Sequence, residues 1–461
     1  DVYKRQHGDA PARIIGFHEV SPLPLPIAFA FAPPLSRGWH VNDPHRRSAF
    51  RPVSSLSRSA CCSRRVFLGR STLAAGLAWL SQHTGRAMAQ AGRQAPISPN
   101  DAIKVTKIET FVLKNSWVFV KISTDAGITG WGEMLKDDSK ACAAGALEVS
   151  DYLVGKDPRP VVKHWQAIHR GSFYRGGPIK TAILSGIDQA LWDITGKCYG
   201  LPVYKLLGGP TRDRARVYGN PDPVTGVNAM KVGPWTTRKA FKYAEGQSFV
   251  HEVVERFADL KSRYPGVDIG LDFHGAVQPT TATLLIKALE PHHPWFYEEV
   301  VQALNVDVMA ELAKKTHIPL ATGERIFTKW GFREVLQKQA AMILQPDICY
   351  AGGITELRII AGMAEAYYAP LAPHNPNGPC SLAASLQIAA SIPNFMVMER
   401  GDREHELLAE PMPPVQNGYR PIPTNPGLGI TIDEDKLKSE VGEPKPYRAE
   451  YDPDDGSVVD W

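Results

Sequence analysis

The chain predicts an α/β protein: a (β/α)8-type barrel that lacks its first helix and follows an N-terminal α+β domain. Three observations carry that expectation. Between Asp272 and Glu399, ionisable residues recur at Asp272, Glu298, Glu324, Asp347, His374 and Glu399, in steps of 26, 26, 23, 27 and 25 residues. A strand of about five residues, a helix of about a dozen and two short loops sum to such a step. Each residue also ends a short apolar run, such as Trp-Phe-Tyr before Glu298 or Phe-Met-Val-Met before Glu399, and buried parallel strands read that way. Six successive strands would thus each deliver one ionisable group at the C-terminal end, where barrel enzymes build their sites. With Asp plus Glu at 48 of 461 positions, three acids at predetermined strand ends arise by chance about once in a thousand.

The chain is long enough for a barrel and a smaller domain. Its 43% hydrophobic content and formal charge of +4 are those of an ordinary globular protein. No basic-aromatic patch points to nucleic acid. Residues 1–60 are rich in Pro, Arg and Ser without sustained periodicity, and the expectation there is disorder or an artefact of how the reading frame was assembled. Residues 61–89 hold paired arginines, Arg64-Arg65, before the apolar run Leu73–Leu80 and then Ala87-Met88-Ala89. This pattern is similar to a twin-arginine signal peptide cleaved before Gln90. It predicts a periplasmic or exported protein, cytoplasmic only if the signal is not used. The run is too short for a permanent membrane span. Cys61 and Cys62 precede the expected cleavage, and the spacing of Cys142, Cys198, Cys349 and Cys380 fits buried thiols and no structural disulfide.

Residues 104–214 read as the α+β domain. Val105–Leu113, Trp117–Thr124 and Gly130–Glu133 alternate as strands, with Asp125-Ala-Gly as a hairpin turn, so an antiparallel meander is expected. Helices follow near Ser139–Leu153, Val161–His169 and Ile179–Cys198, the last apolar along one face with small residues for close packing. His164 and His169 are expected on the helix surface. Phe173-Tyr-Arg175-Gly-Gly-Pro178 has the composition of a lid over an anionic, hydroxyl-rich ligand; an ordinary turn fits equally. Residues 215–405 form the barrel. Its first strands, Ala215–Gly219 and Ala229–Val232, are joined only by Asn220–Asn228, whose Pro and Gly make a poor helix. A parallel crossover with its helix needs a dozen residues or more. In Ala351-Gly-Gly-Ile354, a tight turn outweighs an anion nest. Residues 406–461 are Pro-rich, with one strand expected at Gly427–Ile432 and an acidic tail.

Asp272, Glu298 and Glu324 make an all-oxygen ligand set of the kind that takes Mg2+ in preference to Zn2+. His274, two residues beyond Asp272 on a strand, would share its face and enter the same pocket. Asp347 beside His374 would fix the tautomer of that imidazole and raise its basicity.

Asp-Phe-His-Gly, Glu-Glu, Gly-Glu-Arg, Gln-Pro-Asp followed by Ala-Gly-Gly-Ile-Thr-Glu, and His-Asn-Pro-Asn-Gly-Pro together resemble the enolase superfamily, within it the mandelate-racemase-like acid-sugar dehydratases. The likeness covers about residues 104–461. It implies that the α+β domain caps the barrel mouth, that the C-terminal segment returns to brace the cap, and that the chains assemble as homo-oligomers. It also implies Mg2+ at Asp272, Glu298 and Glu324, His374 paired with Asp347 as the base for C2, and His274 as the acid for the departing 3-hydroxyl. The implied partner is a small acid sugar, D-galactonate foremost, converted to its 2-keto-3-deoxy acid. Glu399, with a pKa raised near the metal, would donate a hydrogen bond to the substrate carboxylate; pairing with Arg400 or Arg403 is the alternative. Lys231, Arg175 and Asn375 complete the expected substrate contacts. Gly233 stands where related racemases carry a lysine base, and Val300 where Pro usually follows Glu-Glu; the first departure argues against a lysine-based racemase. An epimerase using the two histidines, or a noncatalytic sugar-acid binder or pseudoenzyme, remain as alternatives.

Overall fold

The computed structural model describes residues 95–235, 245–400, 406–452 and 455–459. The expected signal segment, the stretch before it, Cys61, Cys62 and Arg403 lie outside the described residues.

β1 (Val105–Val112), β2 (Val118–Thr124) and β3 (Thr129–Met134) pair antiparallel in sequence order. The turn between β2 and β3 places Gly127 at φ 71° and returns its N–H to Thr124 O at 3.2 Å, which is why Gly follows Asp-Ala there. Five helices follow: α1 (Ser139–Glu148), α2 (Ser150–Leu153), α3 (Val161–Gly171), α4 (Pro178–Tyr199) and α5 (Val203–Leu206). Proline at its first position and Gly200 at φ 65° beyond its end bound α4. Its sequence suggests one apolar face, yet the helix is buried nearly all round. It lies between β3 and a barrel helix, and its second face carries polar residues that serve the barrel. Gly130 and Gly132 let β3 lie directly on it: a Cβ there would meet Ala190 O at 2.1 Å and Gly186 O at 1.9 Å.

The barrel alternates β4 (Arg214–Tyr218), β5 (Ala229–Val232), α6 (Gln247–Arg263), β6 (Asp268–Asp272), α7 (Pro279–Leu289), β7 (Tyr297–Glu298), α8 (Val306–Ala313), β8 (Leu320–Thr322), α9 (Thr328–Lys338), β9 (Ile343–Leu344), α10 (Gly353–Glu365), α11 (Pro379–Ser391) and β10 (Met398–Glu399). β5 to β9 form one parallel sheet. Leu371 continues it through parallel bridges to Leu344 and Phe395, β10 pairs parallel with β4, and Gly219 N–H reaches Ala229 O at 3.0 Å to join β4 to β5. The ring therefore closes. As the sequence predicts, no helix stands between β4 and β5. Instead Gly226 N–H bonds Asp222 O at 2.8 Å, while the Asp222 carboxylate accepts from Val224 N–H at 2.9 Å and Thr225 Oγ1 at 2.8 Å: a self-capped turn.

Past the barrel, β11 (Tyr419–Pro421) adds antiparallel to β4, α12 (Glu434–Glu440) follows, and β12 (Glu450–Tyr451) pairs with β13 (Val458–Val459). The strand thus falls at Tyr419–Pro421, not at Gly427–Ile432. Gly427 and Gly429 take φ 75° and 84°, which breaks the extended run read from Gly-Leu-Gly-Ile-Thr-Ile. The segment returns to the first domain through Gly442 N–H to Val112 O at 3.1 Å and Lys114 N–H to Glu440 O at 3.0 Å. Cys142, Cys198, Cys349 and Cys380 are buried free thiols. Among the described residues no helix is long and apolar enough to cross a membrane.

Candidate active site

Because the barrel strands run parallel, their C-terminal ends open on one side. Asp272, Glu298 and Glu399 are the last residues of β6, β7 and β10, and Glu324 follows β8 by two residues. Asp347 lies three past β9, and His374 three past Leu371. Of the ten residues expected in the site, Lys231, Asp272, His274, Glu324, Asp347, His374 and Glu399 line one cavity of about 580 Å³ together with Leu135, Lys136 and Asp137 of the first domain.

The carboxylates crowd. Lys231 Nζ bridges Glu298 Oε1 at 2.8 Å and Asp272 Oδ2 at 3.0 Å. Gln345 Nε2 donates to Glu298 Oε2 at 2.5 Å. Burial, then the charges of Asp272 and Glu324, push fully buried Glu298 up to about 8 against the pull of Lys231. Burial alone would raise Asp272, but Lys231 and His274 hold it below its usual value. The ammonium of Lys231 is itself driven well up, its desolvation outweighed by Glu298, Tyr218 and Asp272.

Both imidazoles border this cluster. His274 Nε2 lies 3.3 Å from Asp272 Oδ2 and His374 Nε2 3.1 Å from Glu324 Oε2. His374 Nδ1 faces Asp347 Oδ2 at 2.9 Å, and the other Asp347 oxygen accepts from Cys349 N–H at 2.7 Å. Burial lowers His374, but Glu324, Glu399 and Asp347 win and raise it to about 10. The reason His274 enters the pocket differs from strand alternation. It lies past the end of β6 at φ 49°, its N–H held by Asp272 Oδ1 at 3.1 Å and its carbonyl by Arg325 Nη2 at 2.5 Å. Arg325 is anchored in turn by Glu299.

The donor set suits a hard divalent cation. Oxygens of Asp272 and Glu324 come within 4.8 Å of each other and of a His274 nitrogen. Apart from the contact with His374, which lacks hydrogen-bond geometry, Glu324 Oε2 is a buried oxygen without a partner among the described residues. The mutual repulsion that raises Glu298 is what such a cation would relieve. Glu298 is turned toward Lys231 and Gln345, so the closest grouping of ligand atoms includes His274 in its place.

Glu399 lines the cavity; burial pushes it up, Lys231 and His374 hold it below its usual value, and it accepts Asn375 N–H at 2.7 Å. Two other expected substrate contacts fall outside the lining. Asn375 itself does not line the cavity; its amide is buried, with neither atom partnered among the described residues. Arg175 is exposed outside the lining, as are Phe173 and Tyr174 at 91% and 81%; only Pro178 of that loop reaches the cavity. His164 is buried, not on the surface, between Tyr152 Oη at 3.0 Å and Asp157 O at 2.7 Å. At the glycine pair, the start of α10 is satisfied from within the protein: Gly352 N–H donates to Ser185 Oγ at 2.9 Å, and Thr355 N–H and Oγ1 donate to Asp188 of α4 at 2.9 and 2.6 Å.

Some contributors went unassigned in the sequence. Asn377 Nδ2 donates to Asp347 Oδ2 at 2.9 Å, and its signal was the His-Asn-Pro-Asn-Gly-Pro string. Gln345 precedes Pro-Asp347 and Arg325 follows Glu324, so proximity to a site residue was the available cue. Leu135–Asp137 carried none, because a cap loop's aim depends on tertiary packing.

Comparison with known proteins follows the same lines. Residues 98–208 match the mandelate racemase / muconate lactonizing enzyme N-terminal domain, and residues 225–436 an enolase C-terminal domain-like region. Over 382 residues the chain is 41% identical to a D-galactonate dehydratase of Ralstonia nicotianae, a match covering 78% of this chain and 100% of the relative. The chain belongs to the enolase superfamily. Within this superfamily it is an enzyme of the dehydratase kind, and a D-galactonate dehydratase of Ralstonia pickettii matches with the same identity and coverage. A solved enolase superfamily member from Salmonella Typhimurium shares 31% identity at a TM-score of 0.69, covering 73% of this chain and 98% of that one. An enolase from Agrobacterium radiobacter bound to Na and L-malate shares 31% at 0.71, covering 77% and 99%. Since 78% of 461 residues is about 360, about 22 of the 382 matched positions have no counterpart here. That shortfall has the size of one helix with its loops.

Proposed function

We propose that this enzyme dehydrates an acid sugar, D-galactonate, to the 2-keto-3-deoxy acid with Mg2+ as cofactor. The observation that supports it best is the pair of imidazoles bordering one carboxylate cluster, one of them buttressed by an aspartate. Asp272, Glu298 and Glu324 would hold the Mg2+. When bound, it supplies the positive charge that stabilises an enediolate on the substrate carboxylate.

The protein's own residues handle the protons. His374 Nε2 takes the proton from C2, while Asp347 on Nδ1 fixes the tautomer and stabilises the imidazolium that forms. A base must start neutral, and the high value of His374 comes from Glu324 and Glu399 as well as Asp347. Neutralising the carboxylates around Glu324 removes part of what holds that proton. His274 delivers a proton to the 3-hydroxyl, the C3–O bond breaks, and water leaves with the electron pair. The resulting enol tautomerises to the 2-keto acid. Lys231 supplies further positive charge at the cluster edge. The galactonate dehydratases of Ralstonia, with full coverage of their length, favour this substrate over others. The twin-arginine-like segment adds the expectation that the enzyme acts after export, and the chains are expected to assemble.

The test is incubation of the enzyme with Mg2+ and a panel of aldonic acids, followed by assay of 2-keto-3-deoxy acid. D-galactonate should give product, and His374→Asn should give it at least about 100-fold more slowly. A folded enzyme that forms product from no acid in the panel would overturn the reading.

A further inference from the structure

Two polar residues of the first domain, outside the cavity, reach the two chain segments that carry the His374–Asp347 pair. Glu133 ends the Gly-Trp-Gly-Glu run of β3 and is completely buried. Its Oε1 accepts Gly378 N–H at 2.5 Å and its Oε2 accepts Ser381 N–H at 3.0 Å, so it grips the chain from four to seven residues beyond His374. A side chain at Gly378 would block the grip, since a Cβ there would stand 2.9 Å from Glu133 Oε1. Gln189 of α4, also completely buried, donates through Nε2 to Ile348 O at 3.2 Å, one residue past Asp347. Glu133 and Gln189 are tied to each other as well. Gln189 Oε1 accepts Glu133 N–H at 3.2 Å, and its Nε2 donates to Glu133 O at 3.0 Å.

The loop beyond His374 closes the circuit. Asn377, adjacent to Gly378, donates to the same Asp347 oxygen that faces His374. The two segments therefore meet at Asp347 Oδ2 on the site side and at Glu133–Gln189 on the cap side. A carboxylate at a helix start is by itself an ordinary cap. What exceeds capping here is the second arm: the same unit holds the partner strand's loop at Ile348. Burial pushes Glu133 up to about 8, the Ser381 and Gly378 N–H groups pull it down, and Asp347 repels it, so the brace and the pair are close enough to sense each other's charge.

We infer that Glu133 and Gln189 are positioning residues of the cap, a two-armed brace that sets the distance and orientation of the His374–Asp347 pair. The inference rests on the dehydratase reading for the role of that pair, though the brace itself does not depend on which acid is consumed. Proton transfer is sensitive to misplacement of well under an ångström to one ångström, whereas substrate contacts lie elsewhere in the cavity. Loosening the brace therefore lowers kcat while leaving KM nearly alone.

The experiment compares Glu133→Leu, which removes both acceptors, Gln189→Leu and the double variant with Asp193→Asn in the Mg2+-loaded enzyme. Asp193 is an equally buried cap carboxylate, but it grips Trp131 and Leu428 and neither segment of the pair. Each brace variant should lose about 10-fold to 100-fold in kcat with KM within about twofold. The double variant should lose little more than the worse single one, since the arms act as a unit. Hydrogen–deuterium exchange should quicken in peptides spanning 347–349 and 374–381 in the brace variants alone. Asp193→Asn should lower Tm without either effect. Unchanged kcat in the brace variants, equal kcat loss in Asp193→Asn, or unchanged exchange at both segments would overturn the inference. Should the unmodified enzyme turn over no acid at all, the reaction reading falls, and the exchange comparison alone still decides the brace.

Discussion

Asp188, Asp193 and Glu133 at the cap–barrel boundary and Asp272, Glu298 and Glu324 at the strand ends are equally acidic and almost equally buried, but they are satisfied by different groups. The boundary carboxylates all face backbone N–H: Thr355 for Asp188, Trp131 and Leu428 for Asp193, Gly378 and Ser381 for Glu133; Asp193 alone of the three adds a side-chain cation, Lys197 at its outer edge. The strand-end carboxylates face side-chain cations, Lys231 and His374, and one another. Backbone donors are fixed in place and cost little to keep oriented. A lysine or an imidazole can move, change protonation or give way to another cation. Burial raises Asp188 to about 7 and Glu133 to about 8, as it does Glu298, so an elevated carboxylate does not by itself mark chemistry. The identity of the partner does.

The largest effect expected from this division is on turnover. His374→Asn leaves a polar amide near the position of Nδ1 and removes the basic imidazole, and kcat should fall by about 100-fold to 10,000-fold with an unchanged circular dichroism spectrum. A loss below tenfold would place the base elsewhere. Next comes stability without metal. Lys231→Met leaves the buried Asp272 carboxylate with only His274 beside it, which should cost about 3–5 kcal/mol in urea unfolding with EDTA present. Saturating Mg2+ should shrink that cost, since an ion that binds only the folded site stabilises it. Equal stability of the variant and the parent in EDTA would mean that the strand-end set is not held by Lys231.

The same division explains what could be read from the sequence. Spacing alone revealed the barrel and the missing helix, because strand and helix lengths are set by backbone geometry and Asn220–Asn228 is too short and too rich in Pro and Gly for a crossover. Strand-end residues were legible for a related reason: the last side chain of a parallel strand has nowhere to go but the mouth. Boundary partners were not. That Glu133 reaches Gly378, 245 residues away, follows from how α4 and β3 pack on the barrel, and no local period encodes it. Arg175 and Asn375 had suitable chemistry, but an exposed loop and a buried amide were indistinguishable from site residues until the chain was folded. The neighbours of Glu399 were not legible either, because Lys231, which helps hold it below its usual value, comes from the opposite end of the barrel sequence.

Glu133 also gives the boundary set a pH signature. Its folded value of about 8 exceeds the ordinary carboxyl value of 4.5, so between those values the folded protein binds a proton that the unfolded chain has released. Its contribution to stability is therefore complete below about pH 4.5, declines as pH rises, and is lost once pH passes the folded value. Glu133→Gln cannot release that proton, and its Tm should fall less steeply from pH 5 to pH 8 than that of the parent. Parallel Tm curves would mean that Glu133 is ionised throughout, stabilised by the helix start more than burial opposes it.

The smallest effects provide the sharpest contrast, because one pair of substitutions should separate stability from activity in opposite directions. Asp193→Asn leaves an amide NH2 facing either Trp131 N–H or Leu428 N–H, a buried donor without an acceptor, and it also weakens the 2.7 Å pair with Lys197. That should cost about 1–3 kcal/mol and leave kcat unchanged. Glu298→Gln should do the reverse. With a value of about 8, Glu298 already holds a proton at neutral pH in the metal-free fold, so a neutral amide of the same shape costs at most about 1 kcal/mol in EDTA. It also cannot become the carboxylate that a divalent cation needs, so Mg2+ affinity and turnover should fall together. If Glu298→Gln destabilises the metal-free protein as much as Asp193→Asn does, the two sets of carboxylates are held in the same way and the distinction between them fails.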